Sequence, residues 1–138
     1  MMEPLISIQI QGDQSFLLPG DVMTCDYQID AVPLDELQAV EASVMWHTEG
    51  KGEEDMGVHY FERRIPSDAE DGDLRSWRRF ESVMPNSPLS YDGELLKVFW
   101  SVRVRAFLKQ GRQHSSELSF QLGDSRFLPT DKSHSNTN

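Results

Sequence analysis

The residues best suited to recognition chemistry lie on one alternating stretch, "LKVFWSVRVRAFL" (96–108), where Lys97, Phe99, Arg103, Arg105 and Phe107 share one parity. Fixed guanidinium groups chelate carboxylate or phosphate through two parallel hydrogen bonds, so Arg103 and Arg105, with Lys97 beside them, form a candidate anion or phosphopeptide site. Arginine mixed with aromatic rings is also what interface centres favour, and Phe99 and Phe107 widen the candidate to a protein-interaction surface. The competing reading is structural: the same cations would pair across a sheet with acids such as Glu41 on a neighbouring strand.

Other clusters fail on spacing. The acidic loop "SDAEDGDLRSW" offers Asp68, Glu70, Asp71 and Asp73 as oxygen ligands. Gly72, however, stands fifth from Asp68 where a calcium loop of the EF-hand type needs its glycine sixth, and Arg79 occupies the place of the closing glutamate. In "EGKGEED" the lysine sits between glycines, no Ser or Thr follows it, and the acids would repel phosphate. His47 and His59 fall on consecutive expected strands, but no third ligand at a defined spacing accompanies them; His114 and His134 lie in a turn and in the tail. Cys25, on an apolar parity with Met23 and Tyr27, reads as a buried small hydrophobe and not as a nucleophile. No G-x-S-x-G or G-x-G-x-x-G occurs. These residues predict no catalytic centre, no cofactor and no metal site.

The elements that must position the basic and aromatic stretch are strands. Apolar residues recur at every second position in segments separated by glycine, proline and acidic clusters. "LISIQI" aligns Ile6, Ile8 and Ile10; the turn "LLPG" leads to Met23, Cys25, Tyr27 and Ile29; and "LQAVEASVMWHT" aligns Val40, Ala42, Val44 and Trp46 against Glu41, Ser43, Met45 and His47. The first half of the last segment, "PLDELQAVEA", also fits a short helix, although the continued alternation and β-favouring types support a strand. Further strands are expected at "GVHYFERRI" and "RSWRRFESVM", then over 96–108 with the even-numbered residues Leu96 to Leu108 inward, and at "ELSFQLG" with Leu118, Phe120 and Leu122 inward. Ahead of the long strand, Pro85 and Pro88 hold the chain extended, Ser87 and Ser90 can satisfy local backbone groups, and Asp92-Gly93 offers the positive dihedrals of a tight turn.

About seven strands without helices predict an all-β, two-sheet antiparallel sandwich. At 138 residues the chain has the length of one domain, and we expect a single sandwich over 1–129 followed by a flexible polar tail over 130–138. With one cysteine and no internal disulfide, the core alone must hold it. Hydrophobic residues make up 38% and charged residues 26%, a globular composition, and no apolar run is long enough to span a bilayer. The formal charge of −10 opposes phosphate backbones and anionic headgroups, so nucleic acid and membrane insertion are not expected, and the default location is cytoplasmic. The charge is uneven: residues 49–73 carry nine acids and three bases, whereas residues 97–112 carry five bases and no acid.

Three stretches resemble a known family. "LPGDVMTCDYQI" looks like the turn and second strand of arrestin-like domains, and "VEASVMWHTEGKG" is similar to the next strand and its loop. "FESVMPNSPLSYDGELLKVFWSVRVRAF" resembles the strand, proline-serine connection, glycine turn and long strand of arrestins, retromer-type relatives and bacterial sporulation-control relatives. The resemblance covers residues 5–123 and implies an immunoglobulin-like sandwich acting as a non-catalytic adaptor or scaffold. Arrestins carry two such sandwiches and this chain has length for one, so no functional residue is carried over. The expected function is a protein-interaction module with partners of unknown identity. The alternative is a small-ligand or carbohydrate-binding sandwich using exposed aromatics such as Trp77. An edge strand near Phe99 and Phe107 that needs covering would make a homodimer.

Overall fold

The computed structural model of the chain describes residues 3–13 and 15–124; the boundary expected at residue 129 and the tail over 130–138 lie outside the described residues. Seven long strands appear: β1 (Leu5–Ile10), β3 (Val22–Asp30), β4 (Leu37–Gly50), β5 (Met56–Arg64), β6 (Arg78–Val83), β8 (Leu96–Leu108) and β9 (Gln113–Leu122). Two more, β2 (Phe16–Leu17) and β7 (Tyr91–Asp92), are two residues each. The small sheet has the order β1-β3-β6. The large sheet runs β2-β9-β8-β4-β5, with β7 also pairing with the start of β8. All pairs are antiparallel except the short β2–β9 contact.

The alternation seen in the sequence is what closes the two sheets on one core. The small sheet contributes Ile10, Met23, Cys25, Tyr27, Ile29 and Phe80, and the large sheet Val40, Ala42, Val44, Trp100, Val102, Val104, Leu108, Phe120 and Leu122, all buried. Each large apolar side chain so enclosed stabilises the fold by roughly 1.5–3 kcal/mol. Trp100 is almost wholly enclosed, and its indole N–H donates to the Pro88 carbonyl at 2.7 Å, so its polar atom is satisfied. The proline-serine connection is thus tied to the core, but it is not the extended segment expected: the chain bends at Asn86 and Pro88, and the Ser87–Pro88 peptide bond is cis. Ser90 fastens its far end: its N–H donates to the Leu122 carbonyl and its hydroxyl accepts the Leu122 N–H.

The "LPGD" turn closes through Asp21 N–H donating to the Leu18 carbonyl, with Gly20 at φ +89° in the position where a type II turn needs a positive angle. In "PLDELQAVEA" the strand prevails: only Leu34–Glu36 form a 3-10 turn, and β4 begins at Leu37. Two more local expectations are corrected. Gly93 has no positive φ; a Cβ there would lie 2.4 Å from the ring of the exposed Tyr91, which would have to swing aside. Leu96 is exposed and Val98 only half-buried, so the core-filling part of β8 starts at Trp100. The first residues of β8 pair with β7 and with the end of β4, at Glu49 and Gly50, and core residues begin on β4 only further along.

Candidate functional site

The outer face of the large sheet collects the basic and aromatic residues singled out by their parity. Antiparallel register sets Arg105 of β8 opposite Glu41 of β4, Arg103 opposite Ser43, Ser101 opposite Met45, and Phe99 opposite His47. Phe99 stacks on the His47 ring with centroids 5.2 Å apart and remains 37% exposed. Phe107 lies under two guanidiniums, with Arg63 at 5.1 Å and Arg105 at 6.0 Å from its centroid. Lys97 is exposed and meets Asp92 at 3.5 Å. All five candidate residues therefore share one face of one sheet, which is the most the register itself can establish.

The cross-strand pairing expected for the cations is present for one arginine and absent for the other. Arg103 is held by Glu117 of β9, at 2.8 Å from Nε and 2.7 Å from Nη2. Glu41, the acid opposite Arg105, is bonded instead to Arg63 of β5 at 2.7 Å. Arg105 has no ion pair among the described residues. The Ser101 hydroxyl, buried in the same row, also lacks a hydrogen-bond partner among them.

Sequence reasoning missed the third side of this face. Between Val44 and Met45 the β4–β5 register shifts, so that Val58 faces Met45 while Tyr60 faces Val44, and His59 is the extra residue of a bulge. The bulge changes parity along β5. Met56, Val58 and Phe61 all project outward, 55%, 54% and 52% exposed, while Tyr60 and Glu62 turn toward the small sheet. Met56, Val58 and Phe61 form one wall of a groove of about 180 Å³ whose opposite wall is Arg103 and Arg105 and whose floor is Glu41, Ser43 and Met45 of β4. Simple alternation would have put Phe61 on the face opposite Val58; no residue type in "MGVHYFERR" marks the bulge.

The same bulge builds a second, closed constellation between the sheets. Glu62 accepts hydrogen bonds from Tyr27 of β3 at 2.7 Å, from Tyr60 at 2.7 Å, and from Arg78 of β6 at 3.1 and 3.2 Å. Burial opposes ionisation of Glu62, but the bonds from Arg78, Tyr27 and Tyr60 outweigh it and hold the carboxyl below its ordinary value. Burial and the bond to Glu62 push the Tyr60 hydroxyl up to about 12, and they raise Tyr27 as well. The His59 ring bonds the Val83 carbonyl at 2.6 Å across the same opening. The signal for this cluster was Tyr27 on an inward parity, since an enclosed tyrosine hydroxyl needs an acceptor.

The remaining candidates resolve into structural roles. Asp73 binds Arg75 with both oxygens, Asp71 accepts the Asp73 N–H, and Asp68 accepts the Ile65 N–H, so three of the loop's acids cap its own turns. Among the described residues no group of three or more His, Cys, Asp or Glu is arranged to hold a metal. His47 and His59 face opposite sides of the sheet. Cys25 is fully buried, and burial, aided by Asp26 and Glu62, pushes its thiol up to about 12. Trp77 is exposed beside a hollow of about 480 Å³ along the 69–79 loop, with the Arg79 guanidinium 4.9 Å over its ring.

With two sheets, their order and their faces defined, comparison with solved structures has something to match. The sporulation control protein Spo0M from Bacillus subtilis is similar in structure with a TM-score of 0.62, over 90% of this chain and 51% of that one. The fold is an arrestin-like sandwich. Sequence identity is 9%, so the likeness concerns the fold alone, and this chain spans about half the length of Spo0M. No family model matches the sequence, and no curated protein matches it. Among the described residues no helix is long and apolar enough to cross a membrane.

Proposed function

We propose that the chain is a non-catalytic protein-interaction module, an adaptor or scaffold of arrestin-like type, that engages partner proteins through the outer face of its large sheet. The observation that carries this reading is the joint exposure of Phe99 with Met56, Val58 and Phe61 beside Arg103 and Arg105 on one sheet face. Exposed apolar and guanidinium groups in one patch suit a partner surface better than solvent. Lys97, Phe99, Arg103, Arg105 and Phe107 are its contact residues on β8. The reading places the protein in the cytoplasm, without a nucleic-acid partner, and leaves partner capture as the activity to measure. Affinity capture from the source cells with the native chain and with an Arg103→Glu/Arg105→Glu variant tests it. Partners retained by the native chain and lost by the folded variant are expected; identical partner sets would refute the surface.

A second reading has one specific observation behind it, the hollow beside Trp77. An exposed indole at the rim of a concavity lined by Arg64 and Ser76 suits a sugar or another small polar ligand that stacks on the ring. A thermal-shift screen over sugars and nucleotides decides between the two. A specific stabilisation abolished by Trp77→Ala, with no partner recovered by capture, would favour the ligand-binding reading.

A further inference from the structure

The groove on the outer face has two unlike walls, and the difference constrains what can lie in it. The β5 wall is Met56, Val58 and Phe61, three apolar side chains each more than half exposed. The β8 wall is Arg103 and Arg105. The walls rise from strands that flank β4, so they stand roughly 10 Å apart, the width of one extended segment lying along β4. The floor is Glu41, Ser43 and Met45, and the Glu41 carboxylate is engaged by Arg63 at 2.7 Å.

Charge sets the chemistry of the occupant. Around the groove three guanidiniums, Arg63, Arg103 and Arg105, face two carboxylates, Glu41 and Glu117, and both carboxylates are engaged, by Arg63 and Arg103. Six of the eight arginines among the described residues are in ion pairs, and Arg105 is one of the two that are not. In a chain of net charge −10, carboxylates are abundant, yet none of the described ones reaches this guanidinium. Successive side chains of an extended segment point to opposite sides, so one set would reach the β5 wall and the other the β8 wall.

We propose that the groove over β4 binds an extended segment of a partner protein in which apolar and acidic residues alternate, the apolar set packing on Met56, Val58 and Phe61 and an acidic side chain pairing with Arg105. This names the partner class for the interaction face proposed above and rests on that reading. A second copy of the chain is the competing occupant, because the apolar wall lies on an edge strand of the large sheet.

The test uses the full chain and three fluorescein-labelled octapeptides read by anisotropy: alternating valine and glutamate, alternating valine and lysine, and a composition-matched peptide with its valines and glutamates in two blocks. The alternating acidic peptide should bind at least about tenfold more tightly than either control, and Arg105→Gln and Val58→Glu should each weaken it about tenfold or more while melting temperature stays within a few degrees of native. Equal binding of the acidic and lysine peptides, or of the alternating and block peptides, would overturn the proposal, as would failure of all three to bind. Light scattering on the unliganded chain adds the remaining outcome. A dimer that Val58→Glu dissociates would assign the groove to a second copy and overturn a partner segment there. If the peptides fail while cellular partners are still lost on Arg103→Glu/Arg105→Glu, the segment class is wrong and the interaction face stands. If the peptides bind as expected but no cellular partner depends on that pair, the groove is right and the adaptor reading falls.

Discussion

Arg78 and Arg105 both project from strand faces, but Arg78 meets a carboxylate that two tyrosines also hold, whereas Arg105 meets none among the described residues. The difference follows from where each strand face points. Glu62 is turned into the opening between the sheets with only 11% of its side chain exposed, and there an ion without partners would be costly, so every donor in reach converges on it. Arg105 lies on a face open to water, where solvent can carry the charge and folding demands nothing. Satisfaction at one site marks a structural clamp, and incomplete pairing at the other marks a surface free to meet something else.

The contrast predicts a ranked set of responses. Glu62→Ala removes the acceptor shared by Arg78 and two tyrosine hydroxyls and should cost about 2 kcal/mol in a urea melt, chiefly from the hydroxyls left without an acceptor, since Arg78 keeps 38% of its side chain in solvent. The same cluster should carry an acid limb of stability. Because the Glu62 carboxyl is held below its ordinary 4.5, its contribution is fully present above that value and is lost as pH falls through the lower folded-state value. A Glu62→Gln variant should therefore show a shallower loss of melting temperature on acidification below about pH 4.5 than the native chain. Tyr60→Phe removes one of four bonds to the carboxylate and should cost about 1 kcal/mol. Arg105→Ala, by contrast, should change stability by less than about 0.5 kcal/mol, because this half-buried residue breaks no ion pair and loses only a 6.0 Å contact with the Phe107 ring. If Arg105→Ala proved as damaging as Tyr60→Phe, the division between clamp and open face would fail.

Much of this was legible from periodicity. The inward sets on β3, β4, β8 and β9 and the outward set Lys97, Phe99, Arg103, Arg105 and Phe107 follow from a period of two, because one-residue parity decides which side of a sheet a side chain occupies. What was not legible came from places where the period breaks. The bulge at His59 gathers Met56, Val58 and Phe61 on the groove side and sends Glu62 to the clamp, yet bulges leave no residue-type signature in this strand. Leu96 was misplaced because alternation says which way a residue faces and nothing about how far the opposing sheet extends. The loop acids illustrate the reverse case: their composition suggests ligands, while their spacing suits the turn caps they form.

The central claim is that the outer face of the large sheet, and not the clamp or the loops, is where this protein meets its partners. Its most direct test is a side-by-side measurement of partner capture and melting temperature for the native chain and for Arg103→Glu/Arg105→Glu. The account predicts loss of capture by a variant that still unfolds cooperatively, its melting temperature lowered only by the new acids facing Glu41 and Glu117; capture that survives the double substitution would contradict it.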